Sequence, residues 1–199
     1  MYFDNRDRAT NTSRGSVHSL RVSGATLGGN NRFIEGSLGT QNYFSVSEDV
    51  VLRASSAVSW IQGYAGKNVP IYRRYSLGGD NLLHGFDYYG VSMRDPLTAE
   101  AVGGSKKLSA NLDLFFPLPY VNTGGIRGVL FVDVGTVWGN AVSNVPAVKF
   151  SPNNLRASTG VGIEWASPVG PLTMSFAKVL KKQPQDVLRS FNFALGSTF

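Results

Sequence analysis

The amino-acid sequence predicts an all-β fold, a transmembrane antiparallel β-barrel with about eight strands in this chain. Apolar and polar residues alternate with a period of two along most of the chain, whereas helical periodicity is almost absent. The alternating segments span roughly 9–15 residues, longer than strands of soluble sheets and long enough for a tilted strand to cross a bilayer. Short and long connections also alternate, which is typical of outer-membrane barrels.

The composition favours strands and turns and excludes several classes of site. Apolar residues make up 42% of the 199 residues and charged residues only 16%, against about 25% in soluble domains. Glycine occurs 23 times, and there is no cysteine, which excludes disulfides and thiolate metal sites. The net charge is +6, but the basic residues are scattered, so we expect no nucleic-acid partner.

The chain lacks the sequence signals of membrane helices and of export. No apolar run approaches the length of a membrane helix, which needs about 18 residues. The polar start, MYFDNRDRATNTSRG, is not a signal peptide. If the protein works outside the cytoplasm, we therefore expect its export signal to lie outside this sequence.

The predicted strands follow one another along the chain. The first two alternate weakly, and the fifth is less regular than its neighbours. In the other segments every second residue is apolar, so each strand has one apolar and one polar face. The eight predicted strands are 17–27, 33–46, 50–64, 108–116, 128–138, 155–165, 170–178 and 189–199.

The two faces of each strand favour a membrane environment. In LSANLDLFF (108–116) Leu112 and Leu114 share one face, and Asn111 and Asp113 share the other. Alternation alone also fits a soluble β-sandwich, whose polar face meets water. The large aromatic residues decide between the two, because they lie near strand ends, as interfacial girdles require. These residues are Trp60, Tyr64, Trp138 and Trp165.

The stretch GGDNLLHGFDYYG (78–90) lies in the long link 65–107, which has no clear strand pattern. Its glycines are spaced somewhat like a phosphate-binding loop, but no Gly-Lys-Ser/Thr follows. The two histidines of the chain lie far apart, so we expect no metal site, and the Gly-x-Ser-x-Gly of hydrolases is absent. The composition predicts tight glycine turns, with Phe86, Tyr88 and Tyr89 packing the body of the loop.

Several motifs in order give the chain a family resemblance. The stretches YRRYSLGGDNLLHGFDYYGVSMRD and VGGSKKLSANLDLFFPLP are followed by FVDVGTVWG, LRASTGVGIEWASPVGPLTMSFA and FNFALGSTF. Together they resemble the bacterial surface antigen family of outer-membrane β-barrels, to which the BamA assembly factors belong. The resemblance covers nearly the whole chain.

The resemblance implies a function for the whole of 1–199. It implies the C-terminal half of a sixteen-strand barrel in the outer membrane of Gram-negative type, with 65–107 as an inward-folding loop. The family assists folding and insertion of other outer-membrane proteins, so unfolded β-barrel clients, membrane lipids and accessory assembly lipoproteins are the implied partners. No enzymatic activity, cofactor or small-molecule substrate is implied. The alternatives are a related barrel that secretes polypeptides, a small porin-like or adhesin-like barrel, and a soluble β-sandwich.

The resemblance also implies a set of functional residues in the loop and on the barrel wall. In the family an arginine of the loop pairs with two acidic residues of the wall, which correspond to Asp113 and Asp133. The alternative is that both carboxylates simply line a wet lumen. The loop residues that match or occupy the motif are Gly78, Gly79, His84, Gly85, Phe86, Arg94 and Asp95.

This sequence departs from the family at the loop arginine, where His84 stands instead. Arginine offers a fixed fork of donors and a permanent charge, whereas histidine is shorter and is charged only when protonated. We therefore expect the loop to be held more weakly and in a pH-dependent way, more tightly as the pH falls while the acids stay ionised.

The last strand carries a C-terminal targeting signal typical of outer-membrane barrels. Apolar residues alternate up to a final aromatic residue, a pattern by which an assembly machinery recognises clients through strand addition. The residues of this signal are Phe191, Phe193, Leu195 and Phe199.

Overall fold

The computed structural model describes residues 1–9, 11–25, 31–79, 82–119, 125–139, 145–167 and 170–196. The strands are β1 (Tyr2–Asp4), β2 (Gly15–Ala25), β3 (Phe33–Ser45), β4 (Val51–Gly63), β5 (Gly85–Phe86), β6 (Lys106–Pro117), β7 (Ile126–Trp138), β8 (Arg156–Ser167), β9 (Gly170–Lys181), β10 (Leu188–Arg189) and β11 (Phe191–Leu195). Two short 3-10 helices occupy Ile71–Arg73 and Pro152–Asn154. In the part of the chain that the structure describes, no helix has the length and apolar character to cross a membrane.

Nine of these strands form one antiparallel sheet, in the order β1-β2-β3-β4-β6-β7-β8-β9-β11. Each strand pairs with the next long strand along the chain, and β5 and β10 form a separate two-stranded ribbon. The predicted all-β antiparallel fold is therefore confirmed. All eight predicted strands are present, and β1 was missed because its three residues carry no alternating pattern of their own.

The sheet places its aliphatic side chains outside and its polar side chains inside. On β7, Val132 is 44% exposed while the adjacent Asp133 is 0% exposed. The same reversal occurs on β9, where Met174 and Phe176 are exposed and Ser175 is buried. A water-soluble sheet would bury the first set, whereas lipid chains solvate it without cost. The apolar face is thus suited to hydrocarbon, as the alternation predicted.

The buried apolar residues lie between the polar face of the sheet and the link from β4 to β6. One cluster consists mainly of residues of that link: Leu77, Leu83, Phe86, Val91, Met93 and Val102, together with Val137 and Val145. A second lies within the sheet: Val51, Phe115, Val129, Phe131 and Ala177. The link therefore supplies its own small core, packed against the inside of the sheet.

Tyr89 does not pack the body of the loop, contrary to the prediction, and Tyr88 covers Gly79, where an added Cβ would lie 2.8 Å from its Cε1. Phe86 is fully buried, but Tyr88 is 56% and Tyr89 is 72% exposed. Tyr89 lies in a tight turn with a φ of 56°, which turns its side chain away from the cluster. The aliphatic residues on either side, Leu83 and Val91, fill that space instead.

The exposed apolar face predicts how charge insertion changes stability in a bilayer. Val132→Arg places a cation in the middle of a 13-residue strand and should cost about 2–4 kcal/mol of unfolding free energy in lipid vesicles. Gln41→Arg is the matched control, because Gln41 opposes Ser55 on the polar face and should change stability little. Denaturant titration followed by tryptophan fluorescence measures both, and equal losses would contradict the assignment of the faces.

Candidate functional site

The loop that carries the predicted motif runs from residue 64 to residue 105, between β4 and β6. Gly78, Gly79 and Gly85 have φ values of 118°, 90° and 86°, a region open to glycine. A Cβ added at Gly78 would lie 2.0 Å from the Asp87 carbonyl oxygen, and one at Gly85 would lie 2.9 Å from Cγ2 of Val179. The absence of a side chain at Gly78 therefore permits a tight turn inside the loop, and its absence at Gly85 lets the loop approach β9 closely.

Several sets of backbone hydrogen bonds hold the loop in shape. Leu77 and Val91 exchange N–H···O bonds of 2.8 and 3.0 Å across its neck. At its tip, β5 pairs antiparallel with β10, which brings Phe86 opposite Leu188. The loop is therefore tied both to itself and to the segment that leads into the last strand.

The tip of the loop meets the sheet at Asp133. The backbone N–H of His84 donates to Asp133 Oδ2 at 2.8 Å, and Nδ1 of the imidazole lies 2.7 Å from the same oxygen. Asn111 Nδ2 donates to Oδ1 at 2.9 Å and also to the Leu82 carbonyl oxygen at 3.2 Å. The imidazole packs on Phe131, with ring centroids 4.4 Å apart. Both His84 and Asp133 are buried, so this is a desolvated anchor.

The second predicted acid, Asp113, is bound mainly by another residue. Arg53 Nε and Nη2 both donate to Asp113 Oδ2, at 2.9 and 2.8 Å, across the β4–β6 pair. Asp113 Oδ1 is buried and accepts no hydrogen bond from the described residues. Asn111, which donates to Asp133, precedes Asp113 by two residues on the same face of β6. The structure thus brings all three predicted residues together, but the direct hydrogen bonds of His84 go to Asp133.

Arg94 and Asp95 have local roles away from this anchor. Arg94 Nε donates to the carbonyl oxygen of Gln185 at 2.9 Å, and Nη1 donates to that of Ala99 at 3.0 Å. Asp95 Oδ1 accepts from the backbone N–H of Leu97 at 2.8 Å and closes a turn. Arg94 therefore joins the loop to the segment after β9, while Asp95 shapes the loop itself.

A row of cross-strand charges on the polar face was not identified from the sequence. Arg127 donates to Glu164 at 2.7 Å between β7 and β8, and its guanidinium lies 3.9 Å from the centroid of the Phe115 ring. Arg53 lies 5.4 Å from the same ring. The polar faces were recognisable, but the pairs depend on register, which places Arg53 opposite Asp113. A register assignment would have shown both pairs.

The last strand presents its apolar residues outward. Phe191, Phe193 and Leu195 are exposed, and the intervening Asn192 is buried. Among the described strands β11 pairs with β9 alone and forms one edge of the sheet. Phe199, the final residue of the predicted signal, lies outside the described residues.

The buried contacts of Asp133 and Asp113 attach one element of the protein to another. Within the ranges that the structure describes, no group of three or more His, Cys, Asp or Glu side chains could hold a metal ion. Asp133 faces His84 of the loop, and Asp113 faces Arg53. Both carboxylates are almost fully buried. Buried ionic contacts of this kind fix one element against another.

Comparison with known proteins relates the entire chain to one family. A model of the Omp85 superfamily domain matches residues 1–199. The outer membrane protein assembly factor BamA of Neisseria meningitidis is 28% identical over 97% of this chain, and BamA of Neorickettsia risticii is 28% identical over 88%. A SAM50-like protein of Schizosaccharomyces pombe is 26% identical over 77%.

The structural comparison gives the same result. The crystal structure of BamA from Haemophilus ducreyi lacking POTRA domains 1-3 matches with a TM-score of 0.87 and 27% identity, over 100% of this chain and 41% of that one. The chain spans about a quarter of the length of the two curated BamA relatives, 27% and 23%.

The anchor at Asp133 predicts the effect of removing its carboxylate. Asp133→Ala removes the buried acceptor of the His84 backbone N–H and imidazole and should cost about 3 kcal/mol of unfolding free energy. It should also expose 64–105 to protease in the folded protein. Asp87→Ala is the control, because this acid of the same loop is 44% exposed and lies 3.6 Å from Arg189. Equal protease resistance of both variants would contradict the anchor.

Proposed function

The chain belongs to the Omp85 superfamily, and from this premise we propose that it forms the C-terminal part of the barrel of an outer-membrane protein assembly factor. It lies in the outer membrane, with its apolar face against lipid. There it assists other outer-membrane β-barrel proteins to fold and insert. The single observation that supports this most is the match to a BamA barrel over the entire chain, with a TM-score of 0.87.

Strand pairing is the physical means of this activity. An unfolded client strand has unpaired backbone groups that cannot enter hydrocarbon without cost. The second edge of β11 is an antiparallel template that satisfies such groups one strand at a time. The exposed aromatic and aliphatic side chains of β11 keep the joined strands in contact with lipid. Neither a cofactor nor a covalent step is needed for this exchange of hydrogen bonds.

The loop supports the wall beside this edge. Its tip is held on β7 through Asp133, and β5 pairs with β10 just before β11 begins. Residues 64–105 therefore brace β7 to β9 from inside. The proposed partners are unfolded β-barrel clients, membrane lipids and, beyond the contacts of this chain, accessory assembly lipoproteins.

Reconstitution tests the proposed function. The natural-length protein is placed in lipid vesicles, and a urea-unfolded β-barrel client is diluted into them. Folding is followed over time by the shifted mobility of the folded client in unheated gels. We expect faster folding than in vesicles that hold an equal mass of an unrelated small barrel. Equal rates would contradict assembly activity, and equal rates with ion conductance would favour the porin alternative.

The anchor predicts a gain when the family residue is restored. In His84→Arg the guanidinium fork can bond Asp133 and the unpaired Oδ1 of Asp113 together. Protease cleavage within 64–105 should slow, because arginine supplies a fixed fork of donors and a permanent charge. Leu97→Arg is the matched control, since Leu97 is a loop residue that is 92% exposed. No gain in protection over wild type and control would overturn this role of position 84.

A further inference from the structure

A second polar site lies apart from the His84 anchor, where β2, β3 and β4 meet the start of the loop. It is a cavity of about 330 Å³, within the range of roughly 300–1,000 Å³ usual for small-molecule sites. Three arginines, three serines, two tyrosines and one glutamate line it. None of the residues that surround Asp133 contributes to it. The cavity therefore has its own donors and its own charge.

The charge of the cavity is strongly positive. Of its three arginines, Arg73 is paired with Glu35, the one acidic residue that lines it among those described. Arg21 and Arg74 make no salt bridge with a described residue. Lys107 adds a further cation at the border, because it opposes Ser59 on the next strand and lies 5.3 Å from the Tyr75 ring. The excess of cations is a property of this site, since the other buried arginines of the sheet face acids.

Arg74 is the cavity arginine with a buried donor that lacks a hydrogen-bond acceptor among the described residues. It is 9% exposed, and its Nε and Nη2 donate to the Val69 carbonyl oxygen at 3.1 and 2.9 Å. Its Nη1 is buried and has no hydrogen-bond partner among the described residues. Burial lowers the pKa of the guanidinium, with no carboxylate opposing that effect. A buried cation with a free N–H group is costly unless an anion satisfies it.

We propose that this cavity binds a phosphoryl group. The forked N–H groups of arginine match phosphate oxygens in geometry and charge, and Arg21 of β2 and Arg74 of the loop both line the cavity and supply such groups. The hydroxyls of Ser37 and Ser59 supply further donors, whereas the Ser23 hydroxyl donates to Glu35 Oε1 at 2.7 Å. The cavity exceeds the size of one phosphate, so the group is carried on a small polar body. This site is independent of the proposed assembly function.

The location of the cavity restricts the source of the ligand. It lies at the end of β4 from which the long loop starts, and long connections of outer-membrane barrels face the cell exterior. The phosphoryl group therefore comes either from a soluble phosphate ester or from the headgroup of a lipid. Both have the same chemistry at the arginines and differ in what is attached.

Titration of the natural-length protein in neutral detergent tests the proposal. Inorganic phosphate, glucose 6-phosphate and micelles containing phosphatidic acid are the three probes, and calorimetry measures the binding. We expect at least one probe to bind with a Kd on the order of 1 mM or lower. Tighter binding of glucose 6-phosphate identifies a soluble ester, and tighter binding of phosphatidic acid identifies a headgroup. Absence of binding by all three overturns the proposal.

Variants then assign the binding to the cavity. Arg74→Gln and Arg21→Gln should each weaken it about tenfold or more, and Arg74→Lys should weaken it less because the charge remains. Arg14→Gln is the matched control, since Arg14 is exposed, lies outside the cavity and carries the same charge. Arg21 is exposed on its strand, so its loss tests the site even if Arg74→Gln fails to fold. An affinity lowered equally by Arg14→Gln would overturn the assignment.

Discussion

The burial of the Asp133 carboxylate is the constraint around which the inside of this protein is arranged. A carboxylate removed from water is tolerated only where several donors converge on it. Here the His84 backbone N–H, the His84 imidazole and the Asn111 amide surround its two oxygens. Two of these groups belong to the loop, so the charge can be satisfied only when the loop is in place. The apolar cluster of the loop then packs against the sheet as a consequence.

The same principle extends along the polar face. Arg53 and Arg127 come from strands on either side of β6, pair with different acids, and both contact the ring of Phe115. One aromatic residue thus separates two cations that would otherwise repel each other, and the contacts join four neighbouring strands. The outer face needs no polar network, because aliphatic side chains interact with lipid through van der Waals contact alone. The specific ion pairs and ring contacts of these arginines therefore lie on the inner face of the sheet.

The sequence predicted the sheet better than it predicted the contacts within it. A period of two follows from covalent geometry, so the strands and their faces could be assigned residue by residue. The partners of the polar side chains in the folded protein could not be assigned in this way. Nothing in the local sequence decides that His84 bonds Asp133 while Arg53 takes Asp113, because that depends on register and loop path together. Tyr89 was misassigned for a related reason, since hydrophobicity alone does not say which way a turn points its side chains.

The contacts of the loop also impose an order on folding. Neighbouring strands pair along the chain, so most of the sheet can zip together through hairpins of low closure entropy. The loop is different, because His84 lies 49 residues from Asp133 and Arg94 lies 91 residues from Gln185. His84 cannot bond Asp133 before β7 has formed. Arg94 cannot bond Gln185 before β9 has formed. The anchoring of the loop therefore depends on strands that follow it in the chain.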